Sequence, residues 1–176
     1  VAKRVATVKA NDTTVTYGTT PNFSFTASNM FGNDSVTGVT FECSGKDASE
    51  SGYDIIPSVA DTQNYTFETE NGFLIIKKTT LTVDFDSIPS ITYGDELPEI
   101  TIAQYHGFVY DEDQTVLHGT LKVICAYTSS PMAGTFDITF SGLVSDNYEI
   151  EYEKAQIVVN KATLTLTADD IAAITY

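Results

Sequence analysis

The chain repeats itself, and that repetition limits its fold more than any other feature. Residues 78–98, KTTLTVDFDSIPSITYGDELP, recur in residues 161–176, KATLTLTADDIAAITY, so that Leu81 matches Leu164 and Tyr93 matches Tyr176, each 83 residues apart. A fainter copy occupies residues 3–21, KRVATVKANDTTVTYGTTP, where Lys3 precedes Lys78 by 75 and Tyr17 precedes Tyr93 by 76. Later segments repeat as well: GYDI at 52–55 answers TFDI at 135–138, and QNYTF at 63–67 answers DNYEI at 146–150. A fixed period of this size is the signature of tandem modules. The expected organisation is a first repeat over 1–78, a second over 79–161, and a truncated opening strand of a third over 162–176. With no initiator Met and no charged-then-apolar leader, the sequence reads as a slice of a longer protein.

Composition narrows the class. Nine basic residues stand against 24 acidic ones, a formal net charge of -15, which argues against nucleic acid and anionic lipid as partners. No apolar run reaches the length needed to cross a bilayer, so no membrane insertion is expected of this segment. Each repeat carries one cysteine at the end of the same predicted strand, Cys43 after GVTFE and Cys125 after GTLKVI. Domains of this size have diameters near 30 Å, whereas bridged cysteines hold their Cα atoms within about 7 Å. Two buried, reduced thiols are expected.

Apolar residues alternate at period two. Ala6, Val8 and Ala10 alternate with Val5, Thr7 and Lys9, Leu81, Val83 and Phe85 with Thr80, Thr82 and Asp84, and Leu164, Leu166 and Ala168 with threonines, as a strand with one buried face does. Turn residues interrupt every eight to twelve positions, the spacing of a sandwich or barrel. The expected fold is all-β: two tandem small antiparallel domains of Ig-like sandwich type, with a β-grasp-like sheet carrying one short helix as the alternative. Only residues 111–119, DEDQTVLHG, can hold a helical turn, Asp capping its start and Gly its end. The closing strands GFLIIKK and AQIVVNK are apolar on both faces and are expected at the centre of their sheets. Without a third repeat the last strand would leave Leu164, Leu166 and an unpaired edge exposed, so it is expected to continue from Lys161 as an arm that pairs with a neighbouring chain or packs on the second repeat.

The signature positions are Tyr17, Gly18, Tyr93, Gly94, Asn64, Tyr65, Asn147 and Tyr148. Gly after Tyr permits positive φ in a tight turn, and the proline that follows stiffens the return. The four tyrosines read as ring-buried anchors whose hydroxyls find a backbone partner; a sugar-stacking surface is the alternative. No nucleophile constellation, P-loop or dinucleotide glycine pattern occurs, so no catalytic residue, cofactor or metal site is expected. His106, Tyr110, Asp111, Glu112, Asp113 and His118 form a candidate ligand loop, whose histidines and acids match no established metal spacing. The repeat offset grows from 77 at Pro21/Pro98 to 81 at Gly38/Gly119, so four extra residues enter the second repeat in this segment. Lys78 and Lys161, at the junctions, are the candidates for an intramolecular isopeptide bond to Asn.

The segments ITYGDELP, GFVYDEDQTVLHGTL and AGTFDITFSGLVSDNYEIEYEKAQIVVNKATLTLTADD resemble the MBG domain of YGX type. Matching positions include Tyr93-Gly94-Asp95 with Pro98, Gly107-Phe108-Val109, Gly119, Gly134-Thr135-Phe136 and Asn147-Tyr148. The first repeat departs in having Thr19 where the second has Asp95, and in its shorter middle. The resemblance implies an extracellular array in a bacterial surface or secreted adhesin-like protein, used as a stalk, with neighbouring repeats of the same chain as partners. It implies no enzyme. The expected function is a structural spacer holding a distal domain away from the cell. The alternatives are an adhesin module binding host glycan, mucin or protein, and an accessory module of a secreted carbohydrate-active enzyme.

Overall fold

Strands form where the period-two alternation runs between turn residues, and each repeat yields seven. The computed structural model describes residues 2–128 and 131–168. The first repeat contains β1 (Arg4–Ala10), β2 (Thr13–Thr16), β3 (Phe25–Ser28), β4 (Thr40–Glu42), β5 (Ser49–Ser58), β6 (Tyr65–Glu70) and β7 (Gly72–Lys77). The second contains β8 (Thr79–Phe85), β9 (Ile91–Thr92), β10 (Ile102–His106), β11 (His118–Cys125), β12 (Gly134–Val144), β13 (Tyr148–Tyr152) and β14 (Ala155–Asn160). Among the described residues there is no α-helix. Two 3-10 turns, Gln114–Val116 and Ala126–Thr128, are the only helical elements among those residues.

The two repeats share one topology. Sheet order β3-β1-β6 in the first is matched by β10-β8-β13 in the second, and β2-β7-β5-β4 is matched by β9-β14-β12-β11. The fold is all-β, as the alternation requires, and β7 and β14 lie at interior positions of their sheets as expected. The ladders are mixed: β1–β3, β4–β5, β5–β7 and β12–β14 are antiparallel, whereas β1–β6, β2–β7 and β9–β14 are parallel. The parallel pairs have a simple cause. The chain leaves β1 for β2 and leaves β6 for β7 at the same level, so the first and last strands travel side by side through both sheets. Gly72 makes the crossing possible, because a Cβ there would lie 2.6 Å from the Ala10 carbonyl oxygen. Asp12 secures it by accepting the Phe73 N–H at 2.9 Å.

The chain divides into two compact units, and they are not bounded by the repeat junctions. One comprises the described residues of Val1–Val83, Tyr105–Thr120 and Leu143–Glu151, and the other those of Asp84–Gln104, Leu121–Gly142 and Tyr152–Tyr176. The first core gathers Ala10, Tyr17, Ile55, Leu74, Ile76, Leu81 and Tyr148, so its buried residues come from both repeats. The second gathers Cys125, Tyr127, Ile138, Phe140, Ile157 and Val159. Both cysteines are free thiols, Cys125 buried and Cys43 only partly so, packed beside the first core.

Two local expectations change. The 3-10 turn after residue 111 is capped by Asp113, whose side chain accepts from Thr115 N–H, and it ends at extended Leu117 rather than at Gly119, which has passed into β11. Residues 161–168 form no strand despite their alternation, and Leu164 and Leu166 are 85% and 89% exposed. β1 and β8 are strands because each has ladder neighbours on both sides. Residues 161–168 have none among the described residues. The expected continuation to Tyr176 lies outside them.

Candidate functional site

The Tyr-Gly signature is a tight turn. Thr19 N–H donates to Thr16 O at 2.9 Å and Asp95 N–H donates to Thr92 O at 2.9 Å, while Gly18 and Gly94 sit at φ +90° and +102°. Positive φ at the third position is what a type II turn demands, and Gly supplies it without steric cost. In the second repeat Asp95 also accepts the Thr92 N–H at 2.8 Å, a bond that Thr19 does not reproduce.

What covers each turn differs. Above Gly18 lies Val109, so close that a Cβ on Gly18 would stand 2.7 Å from Val109 Cγ1. Tyr17 is buried and meets Tyr110 and Tyr148 edge to face, with ring centroids 5.4 and 5.6 Å away. At Gly94 a Cβ would meet nothing within 4 Å. Tyr93 is 51% exposed, which corrects its assignment as a buried anchor. The residues that cover Tyr17 lie far downstream, at 109–112 and at 148, and Tyr93 has no such cover among the described residues.

Glu112 holds the Tyr17 site together. Its Oε1 accepts from the Tyr17 hydroxyl at 2.8 Å and its Oε2 from the Tyr148 hydroxyl at 2.5 Å. Tyr148 in turn accepts the Val109 N–H at 3.0 Å. Burial, then the bond to Glu112, raises both phenols: Tyr148 to about 12, and Tyr17 further still. One carboxylate thus joins the Tyr-Gly turn of the first repeat to the Asn-Tyr tyrosine of the second. A second tie lies beside it, where Asn147 Oδ1 accepts the Ala48 N–H at 2.8 Å and its Nδ2 donates to Asp47 at 3.1 Å.

The first repeat carries the same device. Tyr65 donates to Asp34 Oδ2 at 2.6 Å and accepts the Phe31 N–H at 3.0 Å, and the bond to Asp34 leads in raising its pKa. Asp34 N–H donates to Phe31 O just as Glu112 N–H donates to Val109 O. Phe31 to Val109 and Asp34 to Glu112 are both 78 residues, so turns 31–34 and 109–112 are equivalent. Gly32 has φ +55° where its counterpart Tyr110 has +56°, and Asp111 also has +56°. Two successive left-handed non-glycine residues cost about 1–2 kcal/mol each. The Glu112 and Tyr17 contacts hold Tyr110 there.

Of the candidate loop residues, Glu112 and Tyr110 enter this clasp, and Asp113 caps the 3-10 turn, its carboxyl held below the usual range by the Thr115 hydroxyl and N–H. His106 ends β10 and His118 opens β11, both exposed, with Asp111 exposed in the turn. Among the described residues no three His, Cys, Asp or Glu side chains gather as metal ligands. Asn64 and Asn147 use their carbonyls alike, accepting from Arg4 N–H and Thr79 N–H at the start of the opening strands. Lys78 donates to the Ser145 carbonyl at 2.7 Å rather than facing an Asn side chain. As members of the clasp, sequence reading missed Phe31, Asp34, Asp47 and Val109, the last named only as a position of the family match. Aligning FGND with VYDE ahead of Gly38 and Gly119 exposes the first, second and fourth.

Fold and clasp together define a chain of tandem all-β modules interlocked at the Tyr17-Gly18 turn. The chain belongs to the MBG domain family of YGX type, whose profile matches residues 6–75 and 81–158. This is a family of non-catalytic repeat modules typical of extracellular bacterial proteins. No curated protein and no solved structure matches the chain significantly. No helix among the described residues is long and apolar enough to cross a membrane.

Proposed function

We propose that the chain is a non-catalytic spacer of a bacterial surface or secreted adhesin-like protein, its repeats bounded at 78/79 and 161/162, holding a distal domain away from the cell. The observation that carries this is Glu112 accepting from Tyr17 and Tyr148 together. A joint made only of a peptide linker swivels, whereas one carboxylate shared by successive repeats, with Val109 seated on Gly18, resists bending. Family membership supports the extracellular setting. Small-angle scattering from chains holding the sequence once and twice in tandem tests it. A spacer requires the maximum dimension to grow in proportion to copy number; growth as the square root of copy number, typical of a flexible coil, defeats the reading.

The left-handed backbone at Tyr110 and Asp111 favours a second reading, a binding module for host glycan or protein centred on the 106–118 loop. Specific binding to mucin glycans that is lost in Tyr110→Ala and His118→Ala supports it. Binding that survives both substitutions removes the loop from consideration.

A further inference from the structure

The clasp that closes over Tyr17 has two halves, and each half also occurs once without a mate among the described residues. The receiving half is a Tyr-Gly turn, covered at Tyr17-Gly18 and open at Tyr93-Gly94. The inserting half is an acid-bearing turn: 109–112 is seated on Gly18, whereas 31–34 leaves Phe31 69% exposed. We propose that the open Tyr93-Gly94 turn of one chain is a docking site for turn 31–34 of a second copy, reproducing between chains the contact that Tyr17 makes with Val109 and Glu112. The proposal does not depend on a spacer role.

Four observations fit the two halves together. Glu112 uses one carboxylate oxygen for its own repeat's tyrosine and the other for the tyrosine it caps. Asp34 uses only Oδ2, for Tyr65, and Oδ1 has no partner among the described residues. The Tyr93 hydroxyl likewise has none, so donor and acceptor are both available. Turn 31–34 shares with turn 109–112 the closing backbone bond and the left-handed second residue, and differs at the third, where Asn33 lacks the positive φ of Asp111, so the match lies in the ends of the turn that carry Phe31 and Asp34. The bare space above Gly94 admits the larger Phe31 where the Gly18 site admits Val109. Finally, the buried Tyr127 hydroxyl donates to Asp95 O at 2.8 Å and accepts from Gly94 N–H at 3.2 Å, fixing the receiving turn from beneath while leaving its outer face open.

Because the two halves are different surfaces, the contact is heterologous and propagates rather than closing into a two-fold dimer. Its small area places it among weak associations, read at concentrations up to about 1 mM. Sedimentation velocity on the full chain should show the weight-average mass climbing above 19.1 kDa with concentration. Phe31→Glu destroys the inserting half and Tyr93→Ala the receiving half, each expected to weaken association at least about tenfold. Both side chains are solvent-exposed, so unchanged melting temperatures are expected, and Phe31→Ala replaces Phe31→Glu should the charge unsettle the fold. Mixing the two variants, each a monomer alone, must restore association and stop at a one-to-one pair, because each supplies the half the other lacks. A wild-type chain still monomeric at the highest concentration overturns the proposal. So does association that persists in either variant alone, or a mixture that stays monomeric.

Discussion

At the scale of single residues, Glu112 and Asp34 provide a matched comparison. A hydrogen bond to a charged group contributes about 1.5 kcal/mol at the low end. Glu112 accepts two such bonds and Asp34 one, so Glu112→Ala should lower unfolding stability by about 3 kcal/mol and Asp34→Ala by about 1.5. Urea titrations of the two variants check the ratio; equal losses mean that Glu112 does not bridge. The same tyrosines set an alkaline limit. Tyr148 is raised from 10.0 to about 12 and Tyr17 is raised further. A folded-state pKa above the unfolded one stabilises fully below the unfolded value, and that contribution drains away as pH rises through the folded value. Stability should therefore hold up to about pH 10 and fall between pH 10 and 12 and above. Phenolate absorbance should show Tyr17 and Tyr148 among the last of the ten tyrosines to ionise.

At the scale of elements, the two Tyr-Gly turns separate conformation from packing. Gly18 and Gly94 share positive φ, so alanine strains either by about 1–2 kcal/mol. Only at position 18 does the new methyl also collide with Val109. Gly18→Ala should therefore cost more than Gly94→Ala in thermal denaturation, and parity would show that Val109 yields freely. Strand β8 makes a second case. Leu81 belongs to the second repeat by sequence yet is fully buried in the core with Ala10, Tyr17, Ile55 and Leu74. Leu81→Ala should cost about 2–5 kcal/mol, and amide exchange in β5 and β7 of the first repeat should quicken with it. Strand positions were legible because alternation reports one wet and one dry face. Residues 162–168 alternate equally well and form no strand, since alternation says nothing about whether a neighbouring ladder exists.

At the scale of the whole molecule, the interlocked first core makes the isolated repeat a poor folding unit. A chain of residues 1–78 retains β1 to β7 but lacks Leu81, Phe108, Val109 and Tyr148, all of which pack in or against its core. It should be far less stable than the full chain, and a sharp, equally stable melt by circular dichroism would contradict this. Repetition, all-β class and the Tyr-Gly and Asn-Tyr signatures were determined by the sequence alone, because a period and a side-chain alternation are local patterns that one chain displays in full. Which tyrosine is buried was decided only by tertiary structure. Tyr17 and Tyr93 occupy equivalent places in equivalent turns, yet the cover for Tyr17 comes from residues 109–112 and 148, and Tyr93 lacks it. Burial depends on what a distant segment places overhead, which no window of sequence around the tyrosine contains.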